Sequence, residues 1–172
     1  YFNATTYLFS KSDGNVKADS VIYQYLNNYD AEIPELIHVN DQIAFSGKYS
    51  EWMDSTKMFS MSIKKNIDEI PEAEVRYASF SAKVYFDKIP EKASMVIAFD
   101  DSTHSYQYHN SIFTDYCGEG GKWYTIITCG EFPRKLNKGD KLTAYFYNPA
   151  GEKFRIDDFQ LIVRTTHDPY KK

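Results

Sequence analysis

Two cysteines among 172 residues allow at most one internal disulfide and no zinc site made from cysteine alone. Cys117 and Cys129 flank a glycine-rich turn at 118–121. If that turn closes a hairpin, Cys117 lies near Lys122 and Cys129 near Asn110, too far apart for a bridge. An excess of positive charge is also lacking. Lys and Arg number 20 against 24 Asp and Glu, a net charge of -4, which leaves no electrostatic footprint for a nucleic-acid backbone or an anionic membrane surface. No run of about 18 apolar residues occurs, so no direct membrane insertion by a helix is expected. An initiator Met and a signal-peptide pattern are absent, and the expectation is a mature product or a segment of a longer protein. Internal repeats and low-complexity tracts are absent too.

What the chain has in excess is aromatic: 15 Tyr and 12 Phe, in keeping with strand preference rather than a helical bundle. Residues 76–86 alternate cleanly, with Ala78, Phe80, Ala82, Val84 and Phe86 on one face and Tyr77 and Tyr85 on the other. That is the pattern of a half-buried antiparallel strand. Residues 95–99 are apolar on both parities, so this strand is expected to be central and covered on both faces. The pairs 105–116 with 122–129, and 141–148 with 153–165, straddle turn sequences and read as hairpins. Shorter strands are expected at 19–26, 36–38, 42–46 and 57–63, with loops at 29–34 and 64–74. About ten strands, little helix and a length suited to one core predict an all-β, two-sheet antiparallel β-sandwich of jelly-roll type. It spans 1–172 as a single domain, with 1–18 and 166–172 peripheral.

One irregularity stands out. Leu142, Ala144 and Phe146 share a parity, Phe154 and Ile156 keep theirs after the 148–151 turn, and Phe159, Leu161 and Val163 fall on the opposite one. A strand that changes parity without stopping needs an extra residue, so a β-bulge is predicted at Asp157 and Asp158.

Four pieces in order then carry a family likeness: Phe-Ser-Gly-Lys-Tyr-Ser at 45–50, Gly-Lys-Trp-Tyr at 121–124, Gly-Asp at 139–140 leading into Tyr-Phe-Tyr-Asn-Pro at 145–149, and Ile-Asp-Asp-Phe at 156–159. Across about residues 28–165 the chain resembles jelly-roll carbohydrate-binding modules of the galactose-binding-domain type. The resemblance implies a non-catalytic module of secreted or surface-anchored bacterial proteins, hence an extracytoplasmic location, neighbouring domains in a longer parent, and a polysaccharide or oligosaccharide partner. It also implies a structural calcium (Ca2+) joining the first and last strands, held by Asp30, the Ser46 to Lys48 backbone and Asp157. Asp30 stands where the family more often has Glu. Calcium takes about 6–8 oxygen ligands and would neutralise the acidic pair. The alternative is a bulge open to water or capped by backbone N–H groups.

Sugar-binding sandwiches stack aromatic rings on the apolar faces of pyranoses and fix the hydroxyls with a few polar groups. Tyr77 and Tyr85, and likewise Tyr145 and Tyr147, point away from the core parity of their strands. If those strands are neighbours in one sheet, the four tyrosines make a platform; otherwise they serve as cross-strand pairs. Trp52 lies in a polar stretch read as a loop, either as a ligand contact or packed over a sheet edge. Trp123 is expected in the core. His104 belongs to the 100–106 loop, which concentrates hydrogen-bonding groups suited to sugar hydroxyls.

Catalysis has little to stand on. The clearest outward strand positions are Ser, Lys, Thr and Tyr rather than the paired carboxylates that glycoside hydrolysis needs. The Glu-x-Asp-x-x-Glu spacing of jelly-roll glucanases and the Gly-x-Ser-x-Gly elbow are absent. Of His38, His104, His109 and His167, only His104 and His109 approach metal-ligand spacing. A lyase using Tyr108 and His109 is the residual enzymatic reading. A structural or protein-interaction sandwich without sugar binding is the other alternative.

Overall fold

A computed structural model of the chain describes residues 20–27, 29, 39–40, 43–72, 75–133 and 135–166. Within them, ten strands form two antiparallel sheets packed face to face. The strands are β1 (Ser20–Asn27), β2 (Val39–Asn40), β3 (Ser50–Met53), β4 (Ile63–Asn66), β5 (Val75–Phe86), β6 (Ser94–Asp100), β7 (Ser105–Ile112), β8 (Lys122–Glu131), β9 (Lys141–Tyr147) and β10 (Phe154–Thr166). The larger sheet runs β2-β3-β10-β5-β8, with β1 also paired to β10, and the smaller runs β4-β9-β6-β7. This is the expected jelly-roll-type sandwich, and β6 is internal to its sheet as its apolar sequence requires.

Alternation along β5 decides how the layers meet. Ala78, Phe80, Ala82, Val84 and Phe86 are all buried. Across the interior, Phe80 meets Phe146 of β9 edge-on at 5.7 Å, and Phe113 meets both Phe146 at 5.9 Å and Phe154 of β10 at 5.0 Å. Such edge-to-face pairs add to the area they bury.

Neither expected hairpin forms. β7 lies in the small sheet and β8 in the large one, where it pairs with β5; β9 lies in the small sheet and β10 in the large one. The chain crosses between layers at both turns. A turn sequence says that the chain reverses, and the alternation that follows is the same whether two strands share hydrogen bonds or face each other across a core. At the second crossing Gly151 has φ +66°, and a Cβ there would sit 2.7 Å from the Ser55 backbone. Asn148 accepts from the Glu152 N–H through Oδ1 (2.8 Å) and donates through Nδ2 to the Glu152 carbonyl (2.9 Å), which pins the turn.

The predicted bulge is present. Asp157 pairs with Lys83 and Gln160 with Ser81, so three steps on β10 oppose two on β5, and Asp158 takes φ +45°. On its other edge β10 pairs with β3 through residues 154–156 and with β1 from Phe159 onward. The extra residue therefore sits where one partner strand hands over to another.

Several local expectations change. Residues 50–53 are strand, not loop, because Glu51 and Met53 face inward and are fully buried. Of the strand expected at 57–63 only Ile63 lies in one, the edge strand β4 over 63–66, whose remainder and the 3-10 turn over Ile67–Glu69 occupy the segment expected to be loop. Residues 43–48 are bends rather than strand, and 36–38 lie outside the described residues.

Candidate functional site

The expected tyrosine platform is split between the two outer faces of the sandwich. Tyr77 and Tyr85 belong to β5 of the large sheet, and Tyr145 and Tyr147 to β9 of the small one.

On the large sheet, register aligns Trp52 with Arg155, Arg155 with Tyr85, and Tyr85 with Trp123, one row across four strands. The Arg155 guanidinium lies over the Trp52 ring at 4.7 Å, and Tyr85 and Trp123 are 5.6 Å apart. Trp123 is not in the core. Ile126 and Thr128 are buried, so their parity faces inward and Trp123 faces out; its neighbour Tyr124 takes the inward position and stacks on Phe86 at 5.5 Å. Segment 43–48 folds over this same face. Phe45 packs edge-on to Trp123 at 5.7 Å with the Lys83 ammonium 4.4 Å from its ring. Tyr77 stands further along β5, 41% exposed.

The strap is held by the bulge. Asp157 is fully buried; its Oδ2 accepts from the N–H groups of Phe45 (2.7 Å) and Ser46 (3.1 Å), and its Oδ1 from the N–H of Asp158 (2.7 Å). Ser46 Oγ donates to Asp158 Oδ1 at 2.5 Å. Burial pushes the Asp157 carboxyl up to about 6, against the opposing pull of those N–H donors. Three N–H groups aimed at one carboxylate make surroundings for an anion, and a cation would have to displace them. Lys48 turns its ammonium over the Tyr49 ring at 4.8 Å, and Asp30 lies outside the described residues. Among the described residues no three His, Cys, Asp or Glu side chains converge on a metal position. Among the described residues Asp157 carries the N–H groups of the capped alternative, and the calcium set that the resemblance implies also draws on Asp30.

Beneath β3 lies a second buried carboxylate that the sequence did not flag. Glu51 accepts from Tyr29 Oη (2.6 Å), from the Met61 N–H (2.7 Å) and from the Lys57 ammonium. Burial, and next the Glu51 charge, hold the Tyr29 hydroxyl well above the usual phenol range. These contacts anchor residues 51–61 and are structural.

The small sheet is different in kind. Its outer face carries a depression of about 510 Å³, within the range of small-molecule sites. Phe59 and Tyr145 contribute rings; Lys64, Asp100, Ser105 and Thr143 contribute polar groups; the 101–104 loop closes one side. Phe59 packs on Tyr145 at 5.7 Å and stacks on Tyr147 at 5.3 Å, so the three rings make one wall. Asp100 ends β6, where it accepts from Thr143 Oγ1 (2.5 Å) and from Ser105 Oγ. The loop is fixed by Asp101, whose Oδ1 accepts from Thr103 Oγ1 and from the N–H groups of Thr103 and His104 at 2.7 to 2.9 Å. These bonds, led by the Thr103 hydroxyl, hold the Asp101 carboxyl down to about 2.

The structure thus brings His104 and Tyr145 together, with Tyr147 adjoining through Phe59, and leaves Trp52, Tyr77 and Tyr85 on the opposite face. Asp100 and Ser105 lie within the 100–106 loop expected to meet hydroxyls. Phe59, Lys64 and Thr143 were missed; Thr143 was available from parity, since it alternates outward with Tyr145. Tyr108 and His109 cannot act as a pair. Tyr108 points outward, 66% exposed, whereas the His109 ring lies so close to Gly130 that a Cβ there would be 2.1 Å from it. Cys117 and Cys129 are unbridged, one buried and the other exposed. No described helix is long and apolar enough to cross a membrane.

No protein family matches the chain, and no curated protein does. Among solved structures, the chain is similar to a xylan-binding domain from Paenibacillus barcinonensis, at 13% identity over 86% of this chain and 96% of that one, with a TM-score of 0.48. It is similar as well to a cyclase from Fischerella sp. TAU, at 11% identity over 84% and 76% of the two chains, TM-score 0.47. A third is a family 16 carbohydrate-binding module, at 11% identity over 72% and 82%, TM-score 0.44.

Proposed function

We propose that this chain is a non-catalytic glycan-binding module whose ligand lies in the depression on the outer face of the four-stranded sheet. One observation carries the reading: in that depression the rings of Phe59 and Tyr145 meet a carboxylate, two hydroxyls and an ammonium, those of Asp100, Thr143, Ser105 and Lys64. Rings offer faces to the C–H side of a pyranose, and the polar groups satisfy its hydroxyls. Asp100 is already oriented by Thr143 and Ser105, so little side-chain freedom is lost on binding.

The absence of catalysis in this reading is supported by the carboxylates that line the depression. They are Asp100 and Asp101, consecutive on one side, whereas hydrolysis needs two carboxyl groups flanking the scissile bond. Such a ligand belongs outside the cytoplasm, with the module serving neighbouring domains of a longer protein. Electrophoresis through gels containing neutral plant, algal and bacterial polysaccharides tests it. Retardation is expected in at least one gel, and loss of it in Tyr145→Ala and Asp100→Ala at unchanged far-UV circular dichroism. Unchanged mobility in every gel would instead leave a structural or protein-interaction sandwich.

A further inference from the structure

We infer that the free edge of β7 is where two copies of this chain meet, their β7 strands pairing antiparallel about a two-fold axis at Asn110. This holds whether or not the depression takes a glycan. β7 ends its sheet: it pairs with β6, and among the described residues no strand pairs with it on the other side. Its inward side chains show where that edge stands. Gln107 donates to the Glu131 carbonyl at 3.0 Å and Ser111 Oγ to the Ile127 carbonyl at 2.9 Å, while the His109 ring lies against Gly130. Residues 127 and 131 share a parity, so both carbonyls leave the same edge of β8, the one turned away from β5. Side chains of β7 thus seal the β8 edge and leave the backbone of β7 outermost on this side of the sandwich.

Bare edges invite pairing, and proteins blunt those they leave unused with lysines, bulges or very short strands. The opposite edge of the same sheet is β4, four residues of which two are Lys64 and Lys65. In the larger sheet β2 has two residues, and β1 is interrupted by a bulge between Val21 and Tyr23. The irregularity of β7 lies at its start, opposite Phe99 and Asp100, and residues 107–112 run in unbroken register with β6. Residues 103–114 contain no Asp, Glu, Lys or Arg, although these make up 26% of the chain. Two copies therefore meet on this strand without the like-charge repulsion that a net charge of -4 would otherwise bring.

The side chains fit the same axis. With Asp100 and Ser105 at one end of β7 and Asn110 near the other, a two-fold at Asn110 sets that residue against its own copy and Tyr108 against Ile112 of the other copy. Tyr108 is 66% and Ile112 38% exposed, so each has apolar surface left to bury. An aromatic ring opposite a β-branched side chain is a favourable cross-strand pair, and the symmetry makes it twice. The Asn110 amide supplies both a donor and an acceptor to its copy. Because β4 closes the far edge with lysines, pairing stops at two copies and yields one continuous sheet from two of four strands. Both depressions then open on the same side of the dimer.

Sedimentation velocity from about 1 to about 200 µM tests the association. The species at the upper end should have twice the 20.0 kDa mass of the chain. Asn110→Lys places two ammonium groups face to face at the axis and should weaken association by at least about hundredfold. Its melting temperature should stay unchanged, since Asn110 is exposed. Cysteines test the register in a Cys129→Ser background, where the buried Cys117 is out of reach. Asn110→Cys should form a disulfide-linked dimer under mild oxidation. Tyr108→Cys should not, because its copy lies four residue steps away, roughly 14 Å, beyond the span of a disulfide. A monomer at every concentration would overturn the inference, as would a dimer that Asn110→Lys leaves intact. Cross-linking of Tyr108→Cys as readily as Asn110→Cys would overturn the axis at Asn110. A dimer dispersed by Gln24→Lys instead would put the contact on β1, and that too would overturn it.

Discussion

The two outer faces of this sandwich are both rich in aromatic rings, and they use them differently. On the six-stranded sheet the rings are occupied with each other and with the chain: Trp52 covers Arg155, Trp123 meets Tyr85 and Phe45, and residues 43–48 are strapped down by Asp157. On the four-stranded sheet Phe59 and Tyr145 border a depression whose other side is closed by Asp100, Ser105 and the 101–104 loop. A count of outward tyrosines does not separate these cases. A ring packed on its neighbours stabilises the sheet, whereas a ring that borders a depression leaves space that a ligand can fill. Under the proposed function the contrast makes one face a scaffold and the other the ligand face, so substitutions on the two should affect different measurements.

The largest effect should come from the scaffold side. Glu51→Ala leaves Tyr29 Oη, the Met61 N–H and the Lys57 ammonium without their shared acceptor in the interior. Stability should fall by about 3–5 kcal/mol, read from urea denaturation. A loss under about 1 kcal/mol would show that water replaces the carboxylate, and that residues 51–61 are not anchored as described. Asp157→Asn comes next. It replaces one acceptor oxygen of the strap by a donor, for an expected cost of about 1–3 kcal/mol. Because N–H groups hold Asp157, EDTA should leave the melting temperature of the native protein where it is. A drop on chelation that Ca2+ reverses would mean that residues outside the described set complete a metal site.

How much of this could be read from residues alone follows from what each signal depends on. The bulge at Asp157 and Asp158 was legible because parity is local: Ile156 and Phe159 must both face the core, and only an extra residue between them permits it. The sandwich class was legible for the same reason, summed over strands. Pairing was not. Whether β7 continues into β8 as a hairpin or crosses to the other layer depends on which strands collect on each side of the core, and Ser105–Ile112 carries no mark of its partner. The same gap divided the candidate site. Tyr85 and Tyr145 look alike in sequence, and only topology puts Trp123 beside the first and Phe59 beside the second. Thr143 needed only parity, but its meaning needed Asp100 across the strand.

A matched pair of substitutions then probes the comparison directly. Trp123→Ala should cost about 1 kcal/mol in stability, from its contacts with Tyr85 and Phe45, and leave polysaccharide retardation unchanged. Tyr145→Ala should weaken retardation by about tenfold with a smaller change in stability. If Trp123→Ala is the variant that loses retardation, the faces have been assigned the wrong way round.

The smallest effect concerns the cysteines, and it separates surface from interior without touching the depression. Cys129 lies on the outer side of β8, where its pairing with Ser79 sets it among solvent-facing residues, and it is exposed. Cys117 follows the 3-10 turn at Phe113–Asp115, is buried, and has its thiol pushed up to about 11 by that burial. Since the thiolate is the reacting form, about one Cys117 in a thousand is ionised near pH 8 even before access is considered. Iodoacetamide at that pH should therefore alkylate one thiol per folded chain, at Cys129 by peptide mapping, and the second only after denaturant is added. Burial raises the Cys129 thiol as well, with the Arg164 charge opposing, so its labelling should be measurably slower than that of free cysteine. Two thiols reacting together in the folded protein would place Cys117 at the surface and open the core around Phe113. No reaction before or after unfolding until a reductant is added would instead indicate a disulfide, and with it a different path for the crossing between β7 and β8.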